Sequence, residues 1–304
     1  MHKRLWNALR LEFVLTPKSP LLIKSGTLSS NPALPDMQFV RTRSASGEMV
    51  FIPGSSLKGV FRSFTEKVLR TIDEGKACDL FGEDSCGQKP IVDEKGSPIE
   101  ERDRRYTPAV YNQSCHACKL YGNTRLRGRL GFQDAYPQGE VKSETRYGVA
   151  ISRLTNAVAQ GPFEMEIAVA GEFKGMITLE NFEVWQLGLL ALTIRALNDG
   201  LVKVGFGKNR GFGEVTFKVM KATLDLAKTK ETIPSTELWG VGAFVDHDER
   251  EPYGLNGNDR LTDLPEGEKT DLAVFVRRTY DADAWQKIAE KALQQLPQAL
   301  GVGS

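Results

Sequence analysis

Two glycine-bearing segments of this sequence carry donors that could bind an anion. The first, residues 53–59 (PGSSLKG), precedes a pattern of apolar residues typical of a helix. The first turn of a helix has unpaired backbone N–H groups and the positive end of the helix dipole, and both favour an anion. The hydroxyls of Ser55 and Ser56 and the ammonium group of Lys58 would complete a site for a nucleotide phosphate. A plain helix cap is the alternative, because serine is preferred at helix starts.

The second segment, residues 205–213 (GFGKNRGFG), lies between a predicted helix and a predicted strand. Its four glycines permit unusual dihedral angles and close backbone approach, and Gly207 and Gly211 flank the cations Lys208 and Arg210. A tight helix-to-strand turn would explain the glycines, but such a turn rarely needs two cations as well. We therefore expect phosphate contacts here.

The cysteines form a third candidate site, at Cys78, Cys86, Cys115 and Cys118. The last two are a Cys-x-x-Cys pair, and four thiolates match the donor set of a closed tetrahedral zinc site. His116 is an alternative ligand, although its neighbours in the sequence make that geometry awkward. The pattern predicts structural zinc. Four unconnected cysteines are the alternative, and a redox pair is disfavoured because no thioredoxin-like unit is predicted around it.

Basic residues precede the strand predicted at 130–134. Arg125, Arg127 and Arg129 alternate along the chain, which on a strand would put three guanidinium groups on one face, as suits an RNA backbone. A solvated edge strand is the alternative. None of the three histidines has a nucleophile or base arrangement around it, so a histidine-based ribonuclease is poorly supported.

The balance of charge changes along the 304-residue chain, although the totals nearly cancel, with 40 basic and 39 acidic residues. Residues 1–70 contain 11 Lys/Arg and 4 Asp/Glu, whereas residues 221–304 contain 10 Lys/Arg and 15 Asp/Glu. We expect a polyanion to bind the N-terminal part, and we expect the tail to be solvated or to face basic partners. Ordinary scatter of surface charge is the alternative.

The sequence has no run of 18 apolar residues and no apolar signal-peptide core near its start. We therefore expect no membrane partner and a cytoplasmic protein. In that compartment, cysteines are usually thiols or metal ligands rather than disulfides.

Apolar periodicity predicts the elements that position these groups. Strands are predicted at 10–17, 49–52, 130–134, 163–170 and 215–219, and helices at 56–72, 182–197 and 282–300. Residues 24–48 are predicted to form a long loop or an irregular hairpin. Without insertions and the tail, the order is strand, helix, strand, strand, helix, strand, which is the ferredoxin-like order of an α+β fold. The sheet face without helices would suit single-stranded RNA.

Together these motifs resemble the RAMP superfamily, and within it the Csm-type backbone (Cas seven-like) subunit of type III CRISPR effector complexes. The segments that carry the resemblance are PGSSLKG, the Cys-x-x-Cys pair followed by KLYG, a strand ending FQDAY, and KNRGFG in the late glycine-rich segment. The resemblance covers roughly residues 8–220, and residues 221–304 depart from the usual pattern.

The resemblance implies a modified ferredoxin-like (RRM-like) palm over residues 1–220, with a zinc-binding insertion at 75–125 and a thumb β-hairpin at about 141–165. Residues 221–304 would be an accessory C-terminal extension. The implied partners are guide crRNA, target RNA and other effector subunits, among them further RAMP backbone subunits, a small helical subunit and the large polymerase-like subunit.

The resemblance also implies roles for residues that patterns alone do not single out. Arg62 of the first helix and Arg153 of the thumb join the predicted RNA-binding residues. Asp36, five residues before Arg41, matches the position of an aspartate that cleaves target RNA, with Mg²⁺ or another divalent ion supporting attack by the 2′-hydroxyl. A simple turn aspartate is the alternative. A non-catalytic architectural subunit and a guide-processing endoribonuclease are the alternative functions.

Overall fold

A seven-stranded antiparallel sheet lies at the centre of the protein. The computed structural model describes residues 3–26, 35–45, 47–229 and 231–302. Within these ranges the strands are β1 (Asn7–Pro17), β2 (Arg41–Ser44), β3 (Gly47–Val50), β4 (Leu130–Phe132), β5 (Tyr136–Pro137), β6 (Lys142–Ile151), β7 (Val158–Ala170), β8 (Phe173–Glu180), β9 (Val215–Ala227), β10 (Leu238–Trp239), β11 (Arg260–Leu261), β12 (Glu268–Leu272) and β13 (Phe275–Asp281). The helices are α1 (Gly54–Ile72), α2 (Tyr106–Gln113), α3 (His116–Tyr121), α4 (Val184–Asn198), α5 (Val241–Phe244), α6 (His247–Arg250) and α7 (Ala282–Ala299).

The strand order in the sheet is β12-β13-β9-β1-β8-β4, and β5 also pairs with β8. The central strands β1 and β8 pair from Ala8 opposite Glu180 to Leu15 opposite Phe173. Outside this sheet, β2 pairs with β3, β6 with β7, and β10 with β11. The structure is therefore a mixed α/β arrangement built around one antiparallel sheet.

One face of the sheet packs against α1, α4 and α7. Alternate side chains of β1, from Leu9 to Leu15, are buried there, as the two-residue period of a strand requires. Helix α4 contacts both α1 and α7, which explains why it is apolar around most of its circumference. Gly188 lets α7 approach closely, because a Cβ there would lie 2.9 Å from the carbonyl oxygen of Ala292. The three predicted helices agree with α1, α4 and α7 to within two residues at each end.

The strand predicted at 163–170 does not enter the central sheet and instead forms the base of the β6–β7 hairpin. The central sheet instead contains β8, which pairs with β1 and which the sequence patterns did not identify. Phe173 and Ile177 are buried along β8, but Gly175 interrupts the apolar alternation between them. A Cβ at Gly175 would lie 2.6 Å from the ring of Phe13, so β1 leaves no room for a side chain at that position.

The tail extends the same sheet and the same helical layer. The predicted boundary after residue 220 falls inside β9, which pairs with β1 on one side and with β13 on the other. Helix α7 packs against α4. The described part of the tail therefore continues the central sheet, because β13 pairs with β9. An accessory role for residues 221–304 stays a prediction.

A second, smaller hydrophobic core joins the cysteine-bearing insertion to the tail. Val110 and Tyr111 of α2 pack with Val241, Tyr253 and Leu255 of the tail. The apolar side chains of the insertion and of the tail bury one another in this cluster, so the tail supports the insertion.

A buried carboxyl group lies at the N-terminus of α4. Oδ1 of Asp259 accepts a 2.9 Å hydrogen bond from the backbone N–H of Val184, and Asp259 is only 8% exposed. Burial, and after it the negative charge of Glu183, raises the pKa of Asp259 from 3.8 to about 8. Because folding disfavours the charged form, the stabilising contribution of the neutral carboxyl is complete at low pH and is lost as the pH rises towards the folded-state pKa.

We expect Asp259→Asn to flatten the pH dependence of stability. Asparagine cannot ionise, and its amide oxygen can still accept the Val184 hydrogen bond. Relative to the wild type, the variant's free energy of unfolding should rise by on the order of 2 kcal/mol between pH 5 and pH 8. Urea unfolding at the two pH values measures this change. An equal difference between variant and wild type at both pH values would contradict the raised pKa.

Candidate functional site

Residues 20–25, which follow β1, support three parts of the candidate site through backbone hydrogen bonds. They bond to the base of β7, to the segment before β2 and to residues 205–213, called here the glycine loop. The donor–acceptor pairs are Leu21 N to Ala168 O (2.9 Å), Ala168 N to Leu21 O (2.8 Å), Val40 N to Ile23 O (2.9 Å), Phe206 N to Leu22 O (2.7 Å) and Gly213 N to Pro20 O (2.9 Å). This short segment therefore fixes the three parts relative to one another.

The glycine loop has positive φ at all four of its glycines. At two of them a side chain would also collide with backbone: a Cβ at Gly205 would lie 2.3 Å from the carbonyl oxygen of Leu22, and one at Gly213 would lie 2.1 Å from that of Val204. The glycines are thus required by the conformation of the turn. The loop presents Lys208 and Arg210 in a short 3-10 helix, with both side chains exposed.

The two cations of the glycine loop face different neighbours. The guanidinium carbon of Arg210 lies 5.1 Å from the ring centre of Phe206 in the same loop. Phe212 of the loop contacts β6, since the guanidinium carbon of Arg146 lies 5.8 Å from its ring centre. The loop therefore contacts the β6–β7 hairpin. Lys208 lies on the side of α1. Its side chain is exposed, but the neighbouring protein surface desolvates its ammonium group, and this effect, followed by the charge of Lys67, lowers its pKa.

Asp36 lies beside the base of the β6–β7 hairpin. Its Oδ2 accepts a 2.9 Å hydrogen bond from the backbone N–H of Glu164, and the neighbouring Met37 N–H donates to the Glu164 carbonyl oxygen at 3.0 Å. Asp36 itself is exposed. Glu164 pairs with Tyr147 of β6, next to Arg146. Asp36 and the glycine loop are therefore positioned at the same end of the hairpin.

The long hairpin consists of β6, β7 and the turn at 152–157, and it exceeds the predicted 141–165 at its base. Side chains are exposed along most of β6 and along the outer half of β7. At the turn, Arg153 is exposed and Leu154 is 93% exposed. The hairpin thus projects from the sheet, with Arg153 at its tip.

The predicted anion site at the start of α1 is partly filled by the protein itself. Oδ1 of Asp134 accepts a 2.8 Å hydrogen bond from the backbone N–H of Gly54. Ser55 is exposed, whereas Ser56 and Lys58 are half-buried. Burial, followed by the charge of the neighbouring arginine in α1, lowers the pKa of Lys58. Asp134 therefore caps the start of α1 from 80 residues away in the sequence, a pairing that no local pattern predicts.

Arg62 of α1 makes internal contacts rather than facing solvent. Its guanidinium donates to Glu66 Oε1 at 2.7 Å, to the Gly122 carbonyl oxygen at 3.1 Å and to Cys118 Sγ at 3.7 Å. These contacts tie α1 to the cysteine-bearing insertion. A role for Arg62 in binding RNA stays a prediction.

The three arginines at 125–129 do not lie together on a strand, contrary to the sequence-based expectation. The segment is a turn in which the side chain of Asn123 accepts the backbone N–H of Arg125 at 2.9 Å. Arg125 bonds to backbone carbonyls of residues 88 and 89, and Arg127 lies 3.5 Å from Glu180. Arg129 is buried, 4.9 Å from the ring centre of Tyr111. The turn breaks the alternation that would have aligned the three side chains.

The four cysteines form a compact cluster, with all Sγ atoms within 4.8 Å of one another. The Cys78 and Cys118 sulfurs are 3.6 Å apart, well beyond the ~2.05 Å of a disulfide. Backbone N–H groups also point at the sulfurs: Cys115 N donates to Cys86 Sγ at 3.2 Å, and Cys118 N donates to Cys115 Sγ at 3.4 Å. Four sulfurs at this separation could bind a metal ion.

The cysteine thiols of the cluster shift one another's pKa. Hydrogen bonds from Cys115 and then Cys118 lower the pKa of the Cys86 thiol to about 3, whereas the pKa of Cys118 is raised because its thiol donates to these neighbours. Crowded thiols do not all ionise unaided, and a metal ion would stabilise four thiolates together. His116 is not a member of the group found among the described residues. Its ring packs 5.0 Å from that of Trp185, and burial lowers its pKa to about 4.

Residues 14–216 match the model of the RAMP superfamily, which is more than half of the chain. The chain belongs to the RAMP superfamily. Membership suggests a CRISPR-associated RNA-binding subunit, and RAMP proteins work in CRISPR complexes with RNA and other subunits. Some RAMP proteins are endoribonucleases. No curated protein matches the sequence significantly.

The match to the RAMP superfamily includes Asp36, the start of α1, the cysteine cluster, the long hairpin and the glycine loop. It ends at residue 216, two residues into β9, so the rest of that strand and the remainder of the tail lie outside it. Among the helices of the described ranges, none combines the length and apolar character needed to cross a bilayer.

We expect Gly213→Ala to disrupt the glycine loop. Residue 213 has a φ of +85°, and the added Cβ would lie 2.1 Å from the Val204 carbonyl oxygen. Gly211→Ala is the matched control, because φ is +82° there but no described atom lies within 4 Å of an added Cβ. The control should cost only the left-handed backbone conformation, about 1–2 kcal/mol, and Gly213→Ala should cost at least about 2 kcal/mol more. Urea unfolding compares the two, and equal losses would show that the close approach is not rigid.

Proposed function

We propose that this RAMP protein is a Csm-type backbone subunit of a type III CRISPR effector complex, which binds guide crRNA and cleaves complementary target RNA at Asp36. The position of Asp36 carries the proposal. Its carboxylate is exposed beside the long hairpin and is oriented by the Glu164 N–H at 2.9 Å. The glycine loop contacts the same hairpin through Arg146 and Phe212.

The order of the elements supports a modified ferredoxin-like (RRM-like) palm. Elements β1, α1, β4, β8, α4 and β9 follow one another along the chain, and their strands pair antiparallel in the order β9-β1-β8-β4. This arrangement is the one expected of the β-α-β-β-α-β motif. The long hairpin is inserted between β4 and β8 and would be the thumb.

Guide RNA would contact the exposed side of the glycine loop. The guanidinium of Arg210 can pair with a phosphate while the Phe206 ring beneath it limits the orientations of the side chain. Ser55 and Lys58 at the start of α1 would add further phosphate donors, and Arg153 would reach RNA from the tip of the hairpin. Phosphate contacts of this kind bind any sequence, as a guide-binding subunit requires.

Cleavage would use the nucleophile that RNA itself carries. The 2′-oxygen attacks the adjacent phosphorus, the bond from phosphorus to the 5′-oxygen breaks, and the 5′-oxygen takes a proton from water. The products are a 2′,3′-cyclic phosphate and a 5′-hydroxyl. Oδ2 of Asp36 is held by the Glu164 N–H, so Oδ1 is left to accept the 2′-hydroxyl proton or to bind a divalent ion. A single carboxylate oxygen, completed by phosphate oxygens and water, fits Mg²⁺, which would neutralise charge on the phosphate.

Zinc fits the cysteine cluster, because four sulfurs within 4.8 Å match its preference for a closed tetrahedral set of thiolates. Through the contact from Arg62 to Cys118, such a centre would brace the insertion against α1. We assign it a structural role.

A non-catalytic architectural subunit is the second candidate. The hydrogen bond from Glu164 N–H to Asp36 would by itself fasten the segment before β2 to β7. On this hypothesis Asp36 is a structural residue, and a sister subunit cleaves the target. A guide-processing endoribonuclease is less well supported, because His116 is packed against Trp185.

We expect Asp36→Asn to abolish cleavage while leaving RNA affinity unchanged. The amide oxygen can still accept the Glu164 hydrogen bond, but the charge needed for proton transfer or metal binding is gone. In the assembled complex, single-turnover cleavage beside this subunit should fall by at least about 100-fold. Arg210→Gln is the reciprocal variant: it should weaken guide binding and lower the salt dependence of that binding by about one phosphate contact.

If the rate of target RNA cleavage beside the Asp36→Asn subunit equals that of the wild type, the architectural hypothesis holds instead.

We expect the purified chain to contain about one zinc per molecule. Elemental analysis measures it, and Cys86→Ser should remove most of the metal because a buried ligand is lost. His116→Ala is the control and should retain it, since its ring lies outside the sulfur cluster. Less than about half an equivalent in the wild type, or loss in the His116 variant, would contradict this assignment.

A further inference from the structure

A glutamate at the base of the long hairpin is buried next to the segment that carries Asp36. Glu166 of β7 is only 9% exposed. Its sequence neighbours Met165 and Ile167 are apolar, so the alternation of a strand would place Glu166 on the side that faces solvent. A buried carboxylate is costly unless its oxygens are paired, so Glu166 must have specific partners.

Both carboxylate oxygens of Glu166 bond to the segment that follows Asp36. Oε2 accepts a 3.1 Å hydrogen bond from the backbone N–H of Phe39, and Oε1 pairs with the guanidinium group of Arg41. The main chain of Glu166 adds a third contact, because its N–H donates to the Met37 carbonyl oxygen at 2.9 Å. Glu166 therefore contacts every second residue of this segment, from 37 to 41.

The side chain of Glu166 extends a short main-chain pairing. The N–H of Met37 donates to the Glu164 carbonyl oxygen at 3.0 Å, so residue 37 lies along β7 as a strand partner would. Beyond Glu166, β7 pairs with Leu21 instead, through the N–H and carbonyl of Ala168 at 2.8 and 2.9 Å. The Glu166 carboxylate thus supplies the acceptor for the next amide of the segment, that of Phe39.

The other side of the segment is bonded to residues 20–25. The Ser25 N–H donates to the Gln38 carbonyl oxygen, and the Val40 N–H donates to the Ile23 carbonyl oxygen, both at 2.9 Å. Residues 37–40 are therefore held from two sides. Since Asp36 directly precedes them, the same contacts limit how far its backbone can rotate.

We propose that Glu166 is a positioning residue for Asp36. Its carboxylate holds residues 37–41 against β7 and thereby fixes the direction of Asp36 Oδ1 relative to bound RNA. The role rests on the proposed function, in which Oδ1 accepts a proton or binds a divalent ion. In-line attack is sensitive to small displacements, because a shift of about 1 Å at a catalytic group can cost about 100-fold in rate. Arg41 provides the charge that keeps the buried carboxylate ionised.

The first test is hydrogen exchange of the full chain, which requires no cleavage. In Glu166→Ala the amides of residues 37–41 should exchange at least about tenfold faster than in the wild type, because the Phe39 N–H loses its acceptor. Glu144→Ala is the matched control, since it removes an exposed carboxylate from β6 of the same hairpin. Equal exchange of residues 37–41 in Glu166→Ala and the wild type would overturn the proposal.

The second test is single-turnover cleavage of target RNA by the assembled complex. Glu166→Ala should lower the rate constant at least about tenfold, while RNA affinity and the final extent of cleavage stay unchanged. A purely structural role would instead reduce the extent of cleavage, because fewer complexes assemble, and would leave the rate constant of the remainder unchanged. That result, or a wild-type rate constant with full extent, would overturn the proposal. Glu144→Ala should retain both values.

A conservative variant tests the Phe39 contact by itself. Glu166→Gln keeps an oxygen that can accept the Phe39 N–H but cannot form the ion pair with Arg41. Its rate constant should therefore lie between those of the wild type and Glu166→Ala. A value no higher than that of Glu166→Ala would contradict positioning through the Phe39 N–H.

Asp36→Asn, measured in the same assay, separates this role from the proposed function. If Asp36→Asn cleaves at the wild-type rate, cleavage at Asp36 is wrong, whatever the Glu166 variants do. If Asp36→Asn is inactive and Glu166→Ala cleaves at the wild-type rate, only the positioning role of Glu166 is wrong. The two failures are therefore distinguishable.

Discussion

The candidate site depends on one short stretch of extended backbone, residues 20–25, which has hydrogen-bonding partners on several sides. Its amides and carbonyls bond to the base of β7, to the segment carrying Phe39 and Val40, and to the glycine loop. Main-chain hydrogen bonds depend on backbone position rather than on side-chain identity, so a displacement of this stretch would move all three parts together. The glycines at 205 and 213 are the condition for this arrangement, since side chains there would overlap the backbone. Asp36 is thereby positioned by parts of the chain that are far apart in sequence.

The sequence predicted best where a single physical requirement shapes the pattern. The amphipathic period of α1, the continuous apolar run of α4 and the chemistry of four cysteines were each sufficient to identify their structures. Asp36 was identified through a family resemblance rather than from its own pattern. It stays a proposal as a catalytic residue, because its hydrogen bond to Glu164 is equally suited to a structural role.

Prediction failed where tertiary packing overrides local pattern. Gly175 removes the apolar signal of β8 because Phe13 fills the space where a side chain would lie. Arg129 follows two exposed arginines in an alternating pattern, yet it is buried over Tyr111, since the chain turns at Asn123. Asp134 went unassigned because its partner, the Gly54 N–H, is 80 residues away in the sequence. None of these three contacts is encoded by neighbouring residues.

Charge asymmetry between the two ends of the chain is partly neutralised inside the fold. Asp225 lies 2.8 Å from Arg10 and 2.7 Å from Arg277, so one acidic residue of the tail offsets a basic residue of the first strand. Arg4 similarly lies 3.1 Å from Glu249. The net positive charge of residues 1–70 therefore overstates the positive charge that is accessible to a polyanion.

The pairing of β9 limits how far the C-terminal end of the chain can be shortened. Its residues after 220 bond to β1 and β13 at once, and α7 covers α4 over the same region. A chain truncated at the end of the superfamily match would expose the apolar surface of α4. It would also leave an unpaired strand at the edge of the sheet, which is a template for aggregation. The tail is thus an integral part of the fold. Its removal would lower the solubility of the protein even if the proposed contacts with RNA were unchanged.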